Sequence, residues 1–220
     1  PDTFKEFEKI AKRNITGMID YFNNYRNKKS IYLDIKDCKK LPLSTNSIDI
    51  IVTSPPYGDS RTTVAYGQFS RLALQWLDFE EVNIDNILLG GGKLNYEIEY
   101  HSKDLNKIIK DIEKIDKKRS LEVLKFFIDF EECVIELNRV LKTNGIICFV
   151  VGNRTVKGFN IPTHEIMMQL FEYHGNFKRI GLYNREIPNK RMPSLNSPSN
   201  KKGIKITTMT KEIIFILKKL

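Results

Sequence analysis

The sequence predicts an α/β fold, because short strand-like segments alternate along it with longer helical patterns. The segments 48–53 and 146–151 are nearly continuous apolar runs rich in Ile and Val, which is typical of strands inside a sheet. The segment 120–142 instead repeats its apolar residues at helical spacing. With 220 residues, of which 41% are hydrophobic, the chain can form one domain with a substantial core.

The first part of the chain is predicted to contain one helix and two strands. Apolar residues at helical spacing indicate an amphipathic helix at 4–27, and a short strand is expected at 30–35. The strand at 48–53 should be buried on both faces, because its apolar residues do not alternate with polar ones.

The middle of the chain is predicted to be mainly helical, with helices at 65–78, 103–115 and 120–142. The last of these should end at Thr143-Asn144-Gly145, which is a good C-terminal stop. The run Gly90-Gly91-Gly92-Lys93 lacks the Ser or Thr that follows the Lys of a phosphate-binding loop, and no clear strand leads into it. We therefore interpret it as a flexible loop.

The last part is predicted to hold three strands and one helix. The strand at 146–151 is followed by a helix at 162–174. Strands at 177–185 and 206–218 then flank a loop at 186–203 that is rich in Pro, Asn and Ser.

We expect residues 1–220 to form a single domain or half-domain, with a helical and loop insertion at 58–118 and a basic loop at 186–203. The chain has 36 Lys and Arg against 27 Asp and Glu, a net charge of +9, which suits a polyanionic partner and salt-sensitive binding. Between Lys178 and Lys205 there are eight basic residues and one acidic residue. This stretch is therefore expected to face phosphates.

Cysteine usage and hydropathy predict a reducing, intracellular setting. The three cysteines show no pairing spacing. No run approaches the roughly 18 continuous apolar residues of a membrane span, so no membrane is expected as a partner. The histidines His101, His164 and His174 lack mutual ligand spacing, so no metal site is expected.

The segment Thr53-Ser54-Pro55-Pro56-Tyr57 directly follows a predicted strand and carries the strongest functional signal. Both prolines lack an N–H and fix φ near −65°, so the carbonyls before them are held outward in a stiff turn. An aromatic ring suited to stacking follows at once. Rigid acceptors beside a stacking ring suit the exocyclic amine of a nucleobase.

This segment resembles motif IV of the amino-methyltransferases, (D/N/S)-P-P-(Y/F), and its serine form is most similar to the DNA cytosine-N4 enzymes. Asp37-Cys38-Lys39-Lys40-Leu41-Pro42 before the motif resembles the approach to it in that family. Matches to one bacterial and archaeal branch follow at 58–63, 66–71, 185–191 and 208–212. The resemblance implies a Rossmann-like sheet that ends in an antiparallel hairpin.

The resemblance also implies methyl transfer from S-adenosylmethionine by direct displacement on a base flipped out of double-stranded DNA. The Ser54 side chain and the Pro55 carbonyl would accept from the amine, and Tyr57, after the rigid turn that Pro56 completes, would stack on the base. Asp37 and the backbone at Ser54 and Pro55 would contact the cofactor. The resemblance further implies a role in restriction-modification and a location in the cytoplasm of a prokaryote.

The family's glycine-rich cofactor loop after its first strand, Phe-x-Gly-x-Gly, has no counterpart in this sequence. In the family's strand order 3-2-1-4-5-7-6, segments 30–35 and 48–53 would be strands 3 and 4, so strands 1 and 2 are not found between them. We therefore expect a half of a methyltransferase whose cofactor loop comes from a second polypeptide or a missing segment.

Seven residues are candidates for DNA recognition, because Arg and Asn can read base edges while Lys more often contacts phosphates. They are Arg61, Tyr66, Arg154, Arg185, Asn189, Lys190 and Arg191.

Three alternatives stay open. The chain could serve DNA adenine-N6 methylation or RNA methylation, since related turns occur there, or act as a non-catalytic DNA-binding subunit. Protein-glutamine enzymes carry Asn at the position of Ser54, which counts against them. A covalent cysteine mechanism is disfavoured because none of Cys38, Cys133 and Cys148 follows a proline.

Overall fold

The computed structural model describes residues 2–24, 30–34, 36–58, 66–78, 84–94, 99–187, 195–196, 206–207 and 211–220. The chain divides into two compact units, residues 1–35 and residues 36–220. Among the helices that are described, none is both long and apolar enough to cross a bilayer.

The first unit contains helix α1, Thr3–Asn24, none of whose residues is buried. The strand expected at 30–35 is wrong, because the described residues 30–34 have no regular structure. A strand is stable only when it pairs with other strands, and residues 30–34 take part in none of the described sheets.

The second unit contains five helices and eight strands among its described residues. In chain order they are β1 (Ile48–Thr53), α2 (Tyr66–Trp76), α3 (Ile84–Ile87), α4 (Lys103–Glu113), α5 (Lys117–Val140), β2 (Leu141–Val151), β3 (Arg154–Val156), β4 (Phe159–Ile161), α6 (Thr163–His174), β5 (Phe177–Glu186), β6 (Leu195–Asn196), β7 (Ile206–Thr207) and β8 (Lys211–Lys219).

Four strands form a mixed sheet in the order β1-β2-β8-β5. Strand β1 runs parallel to β2, with Thr53 opposite Phe149, while β8 runs antiparallel to both β2 and β5. The predicted α/β class and the antiparallel C-terminal hairpin, formed by β5 and β8, are thus confirmed. The carboxyl ends of β1 and β2 meet at one edge of the sheet, where α/β proteins place their ligands.

The hydrophobic core lies between this sheet and helices α4, α5 and α6. Phe149 of β2 is its centre, and its ring contacts three other phenylalanine rings. The ring centroids lie 6.2 Å from Phe130, 5.6 Å from Phe171 and 5.4 Å from Phe215. The Phe149 side chain therefore connects β2 with helices α5 and α6 and with strand β8.

On the opposite face of the sheet, which we call the open face, the described apolar residues of β1, β2 and β8 are exposed or only partly buried. Ile50 and Val52 of β1 are 60% and 70% exposed, so the prediction that this strand is buried on both faces is wrong. The reason is that α5 and α6 pack on the other face, and β1 lies at the edge of the sheet. The residues that continue the open face across the sheet by their register are Ile146, Cys148, Ile214 and Ile216, all only partly buried.

Two boundaries differ from the predicted ones because of local backbone geometry. Helix α5 ends at Val140, and Leu141 already has extended geometry, so β2 begins before the predicted stop and includes Asn144 at φ 65°. A small β3–β4 hairpin lies between the strand predicted at 146–151 and the helix predicted at 162–174, where no strand was predicted. Its two-residue turn, Lys157-Gly158, has φ 50° and 89°, as tight hairpin turns require.

The glycine run at 90–93 is held in place, in contrast to the predicted flexible loop. Gly90 and Gly91 are buried, and the Gly90 N–H donates to the buried Asp129 carboxylate of α5 at 2.9 Å. Lys125 pairs with the same carboxylate at 2.5 Å. Gly90 has φ 73°, a conformation that glycine adopts without strain.

Candidate active site

The segment 53–58 lies at the carboxyl end of β1, beside the end of β2. Ser54 is exposed, Pro55, Pro56 and Tyr57 are half-buried, and Gly58 is buried. The chain therefore leaves the edge strand, presents the serine outward and turns back toward the core. This arrangement follows from the two prolines, which end the strand ladder and stiffen the turn.

The Ser54 hydroxyl is oriented by the neighbouring strand. Its Oγ donates to the Val150 carbonyl of β2 at 3.0 Å. A serine hydroxyl carries one proton and two lone pairs, so this bond leaves the exposed Ser54 oxygen as an acceptor. Such an acceptor is what the N–H group of an amine needs.

The Tyr57 hydroxyl is fixed by a carboxylate from the far end of the sequence. It donates to Glu212 Oε1 at 2.6 Å and lies 3.3 Å from Ser54 Oγ. Burial and the bond to Glu212 raise the pKa of Tyr57 above its ordinary value, so the phenol stays neutral. The ring is thus held at its backbone end by the turn and at its hydroxyl end by Glu212.

Glu212, at the start of β8, is buried with 7% of its surface exposed. Burial opposes its ionisation, but hydrogen bonds from Tyr57 and Arg185 outweigh this and hold the pKa of Glu212 below its ordinary value. Arg185 lies opposite Glu212 in the β5–β8 ladder and donates from Nε to Oε2 at 2.8 Å, with Nη2 on the same oxygen. The ion pair of Glu212 and Arg185 therefore lies next to the Tyr57 hydroxyl.

Arg154 lies against the same turn. A Cβ placed on Gly58 would lie 1.5 Å from Arg154 Nη1, so the guanidinium occupies the space that a side chain at position 58 would fill. The structure thus brings together Ser54, Tyr57, Arg154 and Arg185. All four were candidates from the sequence.

Of the other candidates, only Asp37 has described side-chain contacts, and these are with its own segment. Asp37 sits in a local turn, accepting from the Lys39 N–H at 2.9 Å, and the adjacent Cys38 contacts Cys133 of α5 with their Sγ atoms 2.8 Å apart. Tyr66 is described only by its backbone, as the first residue of α2. Arg61, Asn189, Lys190 and Arg191 lie outside the described residues.

The segment after Asp37 is clamped to α5 by an ion pair. Glu136 accepts from the Leu41 N–H at 2.7 Å and from Arg139 at 2.6 Å, while Arg139 Nη1 donates to the Leu43 carbonyl at 2.8 Å. The Arg139 guanidinium lowers the pKa of Glu136 to about 2, so the carboxylate is ionised at neutral pH. This clamp fixes the approach to β1.

Sequence reasoning missed two groups of the site, the Val150 carbonyl and Glu212. The carbonyl has no side-chain signal at all. Glu212 has a weak sequence signal, because it is an acidic residue near the start of the last apolar strand. In the structure it lies opposite an arginine of the preceding long strand, β5. Only the pairing register shows that the two side chains meet.

The sequence profile of a DNA methylase family, covering N6 and N4 methyltransferases, matches residues 48–219. The chain belongs to this DNA methylase family. Members of the family use S-adenosylmethionine as methyl donor, and their function is methyl transfer. The match begins at β1 and ends in β8, so it includes Ser54, Tyr57, Arg154, Arg185 and Glu212.

A curated relative is the type II methyltransferase M.MvaI of Kocuria varians, which is 42% identical over 236 aligned residues. The match covers 99% of this chain and 52% of M.MvaI. This DNA methylase chain therefore spans about half the length of that relative.

Among solved structures, the chain is similar to the cytosine-N4-specific PvuII DNA methyltransferase, at 16% identity and a TM-score of 0.43, covering 84% of this chain and 48% of that one. It is also similar to TTHA0409, a DNA modification methylase of Thermus thermophilus, at 17% identity and a TM-score of 0.42. That match covers 84% of this chain and 52% of TTHA0409.

Proposed function

We propose that this chain supplies the amine-holding part of a site-specific DNA methyltransferase that methylates the exocyclic N4 of cytosine. The observation that carries the proposal is the Ser54 hydroxyl, whose proton is taken by the Val150 carbonyl at 3.0 Å. Its oxygen is left as an acceptor beside a fixed aromatic ring. The serine form of the motif favours cytosine.

The chain's residues would act by holding the amine. An aromatic amine is a poor nucleophile because its lone pair is delocalised into the ring. Ser54 Oγ and the Pro55 carbonyl would accept hydrogen bonds from the two N–H groups of the amine. These bonds would draw the nitrogen toward sp³ geometry and make its lone pair available. Tyr57 would stack on the base, which must first leave the duplex at a cost of a few kcal/mol.

The residues present fit part of a cofactor site. Ser54 and Pro55 lie at the carboxyl edge of parallel strands, where such ligands bind, and would contact S-adenosylmethionine together with Asp37. The bound cofactor supplies an electrophilic methyl group on sulfur. The chain's own contribution is orientation, because holding the reacting atoms in line accounts for several kcal/mol of a barrier, about 7–11 at most.

DNA would be bound by the basic residues near the motif and the hairpin. Arg154 lies against Gly58 at the turn, and the half-exposed Arg185 pairs with Glu212. The proposed DNA-binding residues also include Arg61, Tyr66, Asn189, Lys190 and Arg191. Their binding would be weakened by salt, as phosphate contacts are.

A second segment would complete the enzyme. Three observations support this proposal: the outer edge of β1 ends the sheet, the open face exposes Ile50 and Val52, and the chain spans half of M.MvaI. A strand beside β1 and helices on the open face would bury this apolar surface, at roughly 25 cal/mol per Å². That segment, in a second polypeptide or elsewhere in the protein, would carry the glycine-rich cofactor loop.

Calorimetric titration of the 220-residue chain with S-adenosylmethionine tests the proposal of a half site. We expect binding weaker than about 1 mM, because the chain supplies only part of the cofactor contacts. Binding with a Kd near about 1 μM by the chain alone would contradict it.

The methyltransferase activity is tested with a hybrid enzyme, in which this chain is co-expressed with the part of M.MvaI that lies outside the match. We expect the hybrid to bind the cofactor. Methylation of RNA but not DNA by the hybrid would favour the RNA alternative. DNA binding without methylation would favour a non-catalytic subunit.

A further inference from the structure

We propose that Glu212, held by Arg185, is a positioning residue that fixes the Tyr57 ring at the place where the target base is held. Neither residue then needs to touch the base for this role. For Arg185 the role replaces direct base reading, which the sequence had suggested.

The contacts form a continuous row of oxygens. Ser54 Oγ lies 3.3 Å from the Tyr57 hydroxyl, which donates to Glu212 Oε1 at 2.6 Å. Arg185 approaches the second carboxylate oxygen, so each oxygen of Glu212 has its own partner. A buried carboxylate with both oxygens bonded is strongly oriented, because charge-assisted hydrogen bonds are short and about twice as strong as neutral ones.

These contacts restrict the rotation of the Tyr57 side chain. A tyrosine attached only through its Cβ can swing about two side-chain torsions. Here the Cβ end is fixed by the proline turn, and the hydroxyl end is tied to a strand of the sheet 155 residues later in the chain. With both ends fixed, the ring presents one face in one orientation before any base arrives.

The charges of Glu212 and Arg185 also support this positioning role. Glu212 is buried, whereas the Arg185 side chain is 55% exposed, so the arginine screens a charge that would otherwise be costly in the interior. Removing the carboxylate and removing the arginine should therefore affect Tyr57 in opposite directions.

The first test uses the chain alone, labelled with ¹³Cζ-tyrosine, with the Tyr57 resonance assigned by its loss in Tyr57→Phe. We expect Glu212→Gln to lower the pKa of Tyr57, because the raising effect of the carboxylate is lost. Arg185→Gln should raise it, because the arginine lowers it. Glu186→Gln, an exposed neighbour in β5, is the matched control and should leave it unchanged.

An unchanged pKa of Tyr57 in a folded Glu212→Gln protein would overturn the proposal, as would a fall in Arg185→Gln. If Glu212→Gln does not fold, the half-exposed Arg185→Gln decides alone. These titrations need no activity, so they separate this inference from the proposed methylation, on which only the catalytic use of the fixed ring rests.

The second test measures turnover in the hybrid with M.MvaI. Glu212→Gln should lower kcat about tenfold, the effect of one charge-assisted bond, with little change in the KM for DNA. In a Tyr57→Phe background the same substitution should have almost no further effect, because it acts through the hydroxyl. An equal fall in both backgrounds would show that Glu212 does not act through Tyr57.

Discussion

Ser54→Ala is expected to lower the methylation rate of the hybrid by about 10²–10³-fold, comparable to the loss of one preorganised hydrogen-bonding group in other active sites. The substitution removes the oxygen that would accept from the amine, and it also removes the bond to the Val150 carbonyl. Single-turnover transfer of a labelled methyl group to duplex DNA measures the effect, and the KM for DNA should change far less.

Ser47→Ala is the matched control for this substitution. Ser47 precedes the opposite end of β1, and its hydroxyl donates to the Ser44 carbonyl at 2.6 Å, away from the motif. Its loss should leave the rate within about twofold. A Ser54→Ala enzyme as fast as the Ser47→Ala enzyme would remove Ser54 from the proposed chemistry.

Phe149→Ala is expected to destabilise the second unit by about 3–5 kcal/mol, the range for truncating a buried aromatic side chain. The ring contacts Phe130, Phe171 and Phe215, so its removal leaves a cavity that three elements line. Phe149 also lies opposite Thr53, which means that the strand end carrying the motif loses its support. Urea denaturation followed by circular dichroism measures the change.

Phe22→Ala provides the comparison, because Phe22 in α1 is 78% exposed. The same truncation there should change stability by no more than about 0.5 kcal/mol. Similar losses at the two positions would contradict a core centred on Phe149.

The elements with a strong local pattern could be predicted from the sequence. Strand β1 matches its predicted bounds, and α6 and β5 begin or end within one residue of theirs. Their apolar spacing and flanking turn residues contain the needed information. The β3–β4 hairpin was missed because its strands have three residues each, too few to show a period.

Burial and long-range contacts could not be predicted in the same way. The sequence of β1 suits a strand covered on both sides, yet its exposure depends on which segments pack against it. Likewise, Ser54 and Tyr57 were found from the motif, whereas the carboxylate that holds Tyr57 lies 155 residues away and is brought there by the pairing of β8 with β2, the neighbour of β1. Local patterns do not encode such pairings.

The most direct test of the central claim is the identity of the methylated nucleoside. Unmethylated duplex DNA is treated with the hybrid and S-adenosylmethionine, digested to nucleosides and analysed by mass spectrometry. We expect N4-methylcytosine, which disappears in Ser54→Ala. N6-methyladenine as the product, or N4-methylcytosine formed equally well by Ser54→Ala, would contradict it.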